Sequence, residues 1–404
     1  MIKKEYIILF LFGLLFSFYI YSTLQIAVFT NLKYVLLIMV MIVCMLLRIK
    51  NEYPNKRQTS IFIMMVLLFT FYPLASKIMT SETQIFLYSM VSLSLIIFSF
   101  WASIVINYYN LLERSSIILY ISLLVFIFYS YMTSNHSIFN FDSILASFDQ
   151  ENRQRPDFGF NHPGTAGSLA FLFLINSFNL RVSIIKQKRT YFVMVILELL
   201  VLLYLINTGS RGAIFSTVFF FTSYYLIKYT ILKLTLQKIF FGIVLYILIF
   251  LSLANIIPAL NIAELNNISS GRIYNWISTI DYLSNSNNLL LGLGYFNTNY
   301  FYSDSNPYNF LSSDNWFVYI TITLGLIGVF LSILLFFYIL SVLLRSKEVD
   351  SKNTQLYSIC LFLTICYYST LENLIFNPSM LLCLYLWIWI FSYFGKRYSY
   401  IQAT

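Results

Sequence analysis

Charge is what this sequence has least of. Of 404 residues only 10% are Asp, Glu, Lys or Arg, against roughly a quarter in a soluble domain. Hydrophobic residues make up 59% and the mean hydropathy is +0.77, so a water-soluble fold is excluded. Cysteine is scarce too. Cys44, Cys360, Cys366 and Cys383 all lie in apolar runs without Cys-x-x-Cys spacing, which suggests neither a zinc site nor a disulfide framework and leaves them as small core residues. There are two histidines, His136 and His162, and no Asp-x-Asp pair. That poverty of metal ligands argues against a divalent-metal site, and no cofactor is expected.

What the sequence does have is apolar runs of about 20 residues, each able to cross a ~30 Å hydrocarbon core. They fall at 6–21, 32–47, 61–78, 85–106, 117–132, 165–178, 191–206, 213–227, 239–257, 316–344, 356–371 and 380–394. None alternates apolar with polar residues as a closed barrel of strands would. The expectation is an all-α, polytopic transmembrane bundle of about twelve spans, one integral membrane domain over 1–404. The first run follows Lys3 and Lys4 like a signal peptide, but no small-residue cleavage site succeeds it, so it reads as an uncleaved span.

Lys and Arg accumulate in cytoplasmic loops and so set the orientation. With the N-terminus inside, 19 of the 25 fall on the cytoplasmic side, and only Lys33, Lys77, Arg153, Arg155, Arg211 and Arg272 fall outside. Both termini are therefore expected in the cytoplasm. The net charge of +9 is accounted for by topology, and no nucleic-acid partner is needed. Two long extracytoplasmic loops follow, 133–164 and 258–313, the second with an amphipathic interfacial helix. No repeat relates the halves of the chain, which weighs against an inverted-repeat transporter.

Arginines kept on the disfavoured side call for a reason. Arg211, in Asn207-Thr-Gly-Ser-Arg-Gly212, could grip a diphosphate bidentately at headgroup depth or simply snorkel to the interface. Arg272 opens a segment whose Ile273, Trp276, Ile277, Ile280 and Leu283 share one helical face, capped by Ser269 or Ser270. There it would sit at the positive end of a surface helix, or that helix would only close the bundle. Arg153 and Arg155 bind the same kind of ligand or form a solvated pair balanced by Glu151 and Asp157. For moving a proton, His162 before span six, Asp314 before span ten and Glu372 in the turn 371–378 are the candidates. His162 and Asp314 could equally cap helices, and Glu372 could pair with an outer arginine. Glu198, mid-span, is expected to be neutral or hydrogen-bonded to a Tyr or Asn. Gly292-Leu-Gly294 lacks a third glycine and reads as a turn.

Taken in order, Asn161-His-Pro-Gly-Thr-Ala-Gly167, Thr208-Gly-Ser-Arg-Gly212, Gly271-Arg-Ile-Tyr-Asn-Trp276, Gly292-Leu-Gly294 and Asp314-Asn315 before Gly325-Leu-Ile-Gly328 resemble the O-antigen polymerase and ligase superfamily. The resemblance implies a Wzy-type, metal-independent, inverting polymerase in a bacterial plasma membrane. Such an enzyme joins undecaprenyl-diphosphate-linked oligosaccharide repeats of O-antigen or capsule on the outer face, beside a flippase and a chain-length regulator. It also implies that Arg211 and Arg272 hold phosphate. The ligase branch carries a His-Asn pair where this chain has Asp314-Asn315, which favours the polymerase. Two other readings stand beside it: a ligase moving finished glycan, and a lipid-linked oligosaccharide flippase that forms no bond.

Overall fold

The structure, a computed structural model, describes residues 4–24, 28–47, 54–75, 82–134, 156–160, 162–183, 187–229, 272–294, 315–345, 352–377 and 379–395. The expected span at 239–257, most of both long loops, Ser269 and Ser270 lie outside the described residues.

Long uninterrupted apolar runs can satisfy their backbone polar groups only within themselves when lipid surrounds them, and they form helices. In chain order these are α1 (Lys4–Tyr21), α2 (Val28–Leu46), α3 (Lys56–Ala75, with a π turn at Leu67–Phe71), α4 (Glu82–Tyr108), α5 (Leu112–Thr133), α6 (Pro163–Ser183), α7 (Lys188–Asn207) and α8 (Arg211–Tyr229). After them come α9 (Arg272–Asn285), α10 (Trp316–Arg345), α11 (Lys352–Tyr368) and α12 (Leu381–Gly395). Among the described residues, seven helices (α1, α3, α4, α5, α6, α7 and α10) are long and apolar enough to cross a membrane.

α6 is buried on nearly every side and packs against α5, α7, α8 and α11, while α12 packs along α4 and α11. α1 is fully part of the bundle, with Phe12, Leu15 and Tyr19 in its core. Cys44, Cys360 and Cys383 are buried and all four cysteines are free, as core residues should be.

The two ends of the bundle are identified by their contacts. At one end Arg114 pairs with Glu5 at 3.1 Å, and Asn55 and Asn107 donate to the carbonyls of Phe394 and Ser392. At the other, the turn between α11 and α12 meets the starts of α6, α8 and α10; this is called the turn end below.

α9 and α10 show why the two glycine motifs exist. Gly325 breaks α10 with φ 66° and ψ −172°, a region open essentially to glycine alone. Carbonyls of Ile322 and Thr323, which in an unbroken helix would serve residues 326 and 327, instead accept from Leu293 and Gly294 at 2.7 and 2.9 Å. Leu326 and Ile327 donate in turn to Leu289 and Leu290 at 2.9 and 3.2 Å. The segment 289–294 is thus threaded into the ladder of α10. A side chain on Gly292 would lie within 2.6 Å of the backbone of 323–325. The turn expected at Gly292-Leu-Gly294 is present, and its partner is Gly325. Leu283, at the end of α9, packs with Leu293 and Ile322; Ile277 and Ile280 stay exposed, as on a helix lying on a bilayer surface.

Glu198 departs from expectation. It accepts from Ser177 Oγ at 2.8 Å and pairs with Arg181 at 3.1 Å, both side chains being 12% exposed. The charge on α7 is met by one at the C-terminal end of α6, where a cation also suits the helix dipole. Neither a Tyr nor an Asn is what holds it.

Candidate functional site

Three glycines bring the turn end together. A Cβ on Gly167 would lie 2.5 Å from Ser210 Cβ, so only glycine lets the first turn of α6 rest on the N-cap of α8. A Cβ on Gly164 would lie 3.8 Å from Glu372 Oε1, and one on Gly212 would lie 3.6 Å from Glu372 Cγ. Glu372 therefore sits between the N-termini of α6 and α8, whose helix dipoles favour negative charge there. Arg211 is the first residue of α8 and half-buried.

Glu372 is carried on a turn fixed from several directions. Its own N–H donates to Tyr368 O at 2.9 Å, Trp316 N donates to Ser369 O at 2.8 Å, and Trp387 Nε1 donates to Ile375 O at 2.8 Å. Phe376 stacks on Phe69 from the π turn of α3, with centroids 4.1 Å apart. Asn377 Oδ1 accepts from Ser379, and its amide donates to Asn373 O. Lys33 Nζ donates to Ser379 O at 3.3 Å. A carboxylate on so constrained a turn is pre-positioned, as a group that acts on a substrate must be.

His162 is exposed, and its Nδ1 accepts the Gly164 N–H at 2.9 Å. It caps α6 ahead of Pro163, a residue suited to the first helical position. A ring nitrogen that accepts this bond carries no proton, so in the neutral ring the N–H is on Nε2. In that tautomer Nε2 donates.

At α10 the capping side chain is Asn315, whose Oδ1 accepts the Phe317 N–H at 2.8 Å. Asp314 precedes the cap and lies outside the described residues, as do Arg153 and Arg155. Of Arg272 the backbone is described, as the first residue of α9. Of the residues expected to carry chemistry, the structure brings together His162, Arg211 and Glu372.

The sequence reading passed over three residues of this end. Lys33 stood out only as an outer cation, and Asn373 and Ser210 had no signal of their own. Asn373 Oδ1 is buried without a hydrogen-bond partner among the described residues, which for a polar atom next to a candidate base asks for an explanation.

A comparison with curated proteins returns no match. The family model Wzy_C, described as O-antigen ligase, matches residues 196–333, a stretch that holds Arg211, Arg272 and Asp314 but not His162 or Glu372. Through that stretch the chain is similar to a family of membrane glycan enzymes of ligase and polymerase type, in agreement with the O-antigen polymerase/ligase resemblance of its ordered motifs.

Proposed function

We propose that this chain is a polysaccharide polymerase of a bacterial plasma membrane, one integral membrane domain with its turn end facing out. It transfers a growing glycan from undecaprenyl diphosphate to a hydroxyl of the next lipid-linked repeat. The observation that carries the reading is the meeting of Arg211, Glu372 and His162 where two helix N-termini converge.

The chemistry fits these groups. The acceptor hydroxyl gives its proton to a carboxylate, its oxygen bonds to the anomeric carbon, and the bond from that carbon to the diphosphate breaks with the electron pair leaving on the lipid diphosphate. Glu372 is the base the described residues offer, and Asp314, which precedes α10 in the sequence, is the other candidate. Charge growing on the leaving diphosphate is met by Arg211, by the start of α8 and, from the loop side, by Arg272, with Arg153 and Arg155 in reserve. His162 Nε2 donates to a phosphate or sugar oxygen. No metal and no nucleotide enter.

A ligase would use the same donor chemistry, and the matched family is described by that activity; Asp314 in place of a histidine favours the polymerase. A flippase is disfavoured because the mid-span Glu198 is neutralised by Arg181 rather than held for transport.

The test uses purified protein in vesicles with lipid-linked repeats and EDTA. Long polymer is expected from the wild type, and Arg211→Ala or Glu372→Gln should stop elongation while the protein still inserts. Loss is expected to reach about 100-fold or more for a base or an oxyanion-type contact. A strict Mg²⁺ or ATP requirement, or full elongation by Arg211→Ala, refutes the mechanism. Deletion in cells leaving a single repeat means polymerase, long lipid-linked chains without surface glycan mean ligase, and failure to export any repeat means flippase.

A further inference from the structure

Beside the turn that carries Glu372 lies a cavity of about 660 Å³ between α2, α4 and α10, within the range of small-molecule sites. Its wall changes character with depth. Asn373, Asn377 and Ser379 of the turn line one end, and Leu37, Val91 and Phe376 supply apolar wall. Leu87 and Ile38, also in its lining, are 60% and 41% exposed; on a membrane bundle such faces meet lipid, so the cavity opens sideways to the bilayer. An amphiphile with its head at the turn and its chain towards the bilayer matches that profile.

A charge marks where the head would be. Lys33, 6% exposed, lies behind the lining residues Tyr34 and Ser379. It donates to Ser379 O at 3.3 Å and stands 5.7 and 5.2 Å from the rings of Tyr19 and Tyr34. No carboxylate among the described residues pairs with it. A buried ammonium served by one neutral carbonyl and two ring faces is costly to maintain, and in a membrane protein such a residue is a functional candidate by default. Asn373 is among the residues lining the cavity and adds polar surface on the side of the turn.

We infer that this cavity is a second lipid site, which takes a polyprenyl-chain lipid with a phosphate or diphosphate head and presents the acceptor sugar beyond it to Glu372. Lys33 attracts the head, the polar lining of Asn373, Asn377 and Ser379 meets the first sugar, and α2 and α4 hold the first part of the chain. The acceptor role rests on the transferase reading above; the lipid site itself does not. Two lipid-linked substrates then approach one base from different sides, the donor through Arg211 and the acceptor through Lys33.

The experiment uses the full chain in nanodiscs with a photoreactive undecaprenyl diphosphate. Label is expected in peptides spanning 34–38 and 87–94, displaced by undecaprenyl diphosphate but not by phosphatidylglycerol. It should fall about tenfold in Lys33→Gln, which removes the charge behind the head without touching the lining, and equally in Val91→Trp, which fills the cavity and leaves Lys33 in place. Arg211→Ala should keep this label. Unchanged label in both cavity variants, equal displacement by phosphatidylglycerol, or loss of label in Arg211→Ala each overturns the second site. In the transfer assay, Lys33→Gln should raise KM for the acceptor lipid and not for the donor; the reverse overturns the acceptor assignment. Labelling needs no turnover, so a wild type that labels but does not transfer glycan refutes the polymerase and leaves the lipid site standing.

Discussion

Gly325→Ala is expected to release the 289–294 segment without unfolding the bundle. At φ 66° and ψ −172° an alanine pays about 1–3 kcal/mol for its backbone conformation. Its Cβ would also strike the carbonyl group of Leu290, an overpacking cost of about 1–3 kcal/mol. Against this stand the four backbone bonds that tie 289–294 to α10, at about 0.5–1.5 kcal/mol each. The two sums are similar, and release has its own compensation. Once the segment leaves, the carbonyls of Ile322 and Thr323 and the N–H groups of Leu326 and Ile327 can bond one another in an ordinary helix, which alanine favours. Hydrogen exchange in nanodiscs reads this directly. The amides of Leu293 and Gly294 should exchange at least about 100-fold faster, since roughly 1.4 kcal/mol is tenfold in population, while α6 and α8 keep wild-type protection. Wild-type exchange at Leu293 and Gly294 would show that the threaded segment does not depend on the glycine.

Two other changes probe separate parts of the chain. Glu198→Ala leaves Arg181 charged and nearly buried, and thermal unfolding in detergent should show a loss of about 3–5 kcal/mol; the double change Arg181→Met with Glu198→Leu should recover most of it, and failure to recover would mean that the pair has a role beyond mutual neutralisation. His162→Asn keeps a side-chain oxygen to cap α6 and should melt with the wild type, yet lose roughly ten- to 100-fold in transfer if Nε2 donates to a charged substrate oxygen; full activity would reduce His162 to a cap.

Apolar runs were legible because the bilayer makes one demand on every span, so length and hydropathy located α1 to α8 and α10 to α12 with small shifts at their ends. The amphipathic segment from Arg272 was legible for the same reason in a weaker form: its apolar face repeats at helical spacing. Glu198 was misjudged because its partner is Arg181, 17 residues away at the other side of a helical turnaround, and periodicity within one span says nothing of which face meets which. Gly292 and Gly325 could be seen as glycine-rich places but not as each other's complement, since that depends on two backbones meeting across 33 positions. The cap at α10 falls on Asn315, one residue past the aspartate that the sequence offered for it, because Asp and Asn cap equally well and only the helix start decides between them.

The glycines also explain why the candidate site could be named before its geometry was known. Gly164, Gly167 and Gly212 carry no chemistry, yet Gly164 stands two residues from His162, Gly212 follows Arg211, and Gly167 lets α6 rest on Ser210, the residue before Arg211. Close approach of two helix starts leaves no room for side chains at the contact, and the polar residues just outside that contact are then forced towards a common point. A third element, the α11–α12 turn, brings Glu372 to that point and is fixed by aromatic packing that no short motif records. Lys33 comes from the far side of the same turn. The same short turn thus carries Glu372 at one side and, at the other, the Ser379 carbonyl that accepts from Lys33, and under the two-lipid proposal its rigid packing holds both approaches in fixed register about one carboxylate.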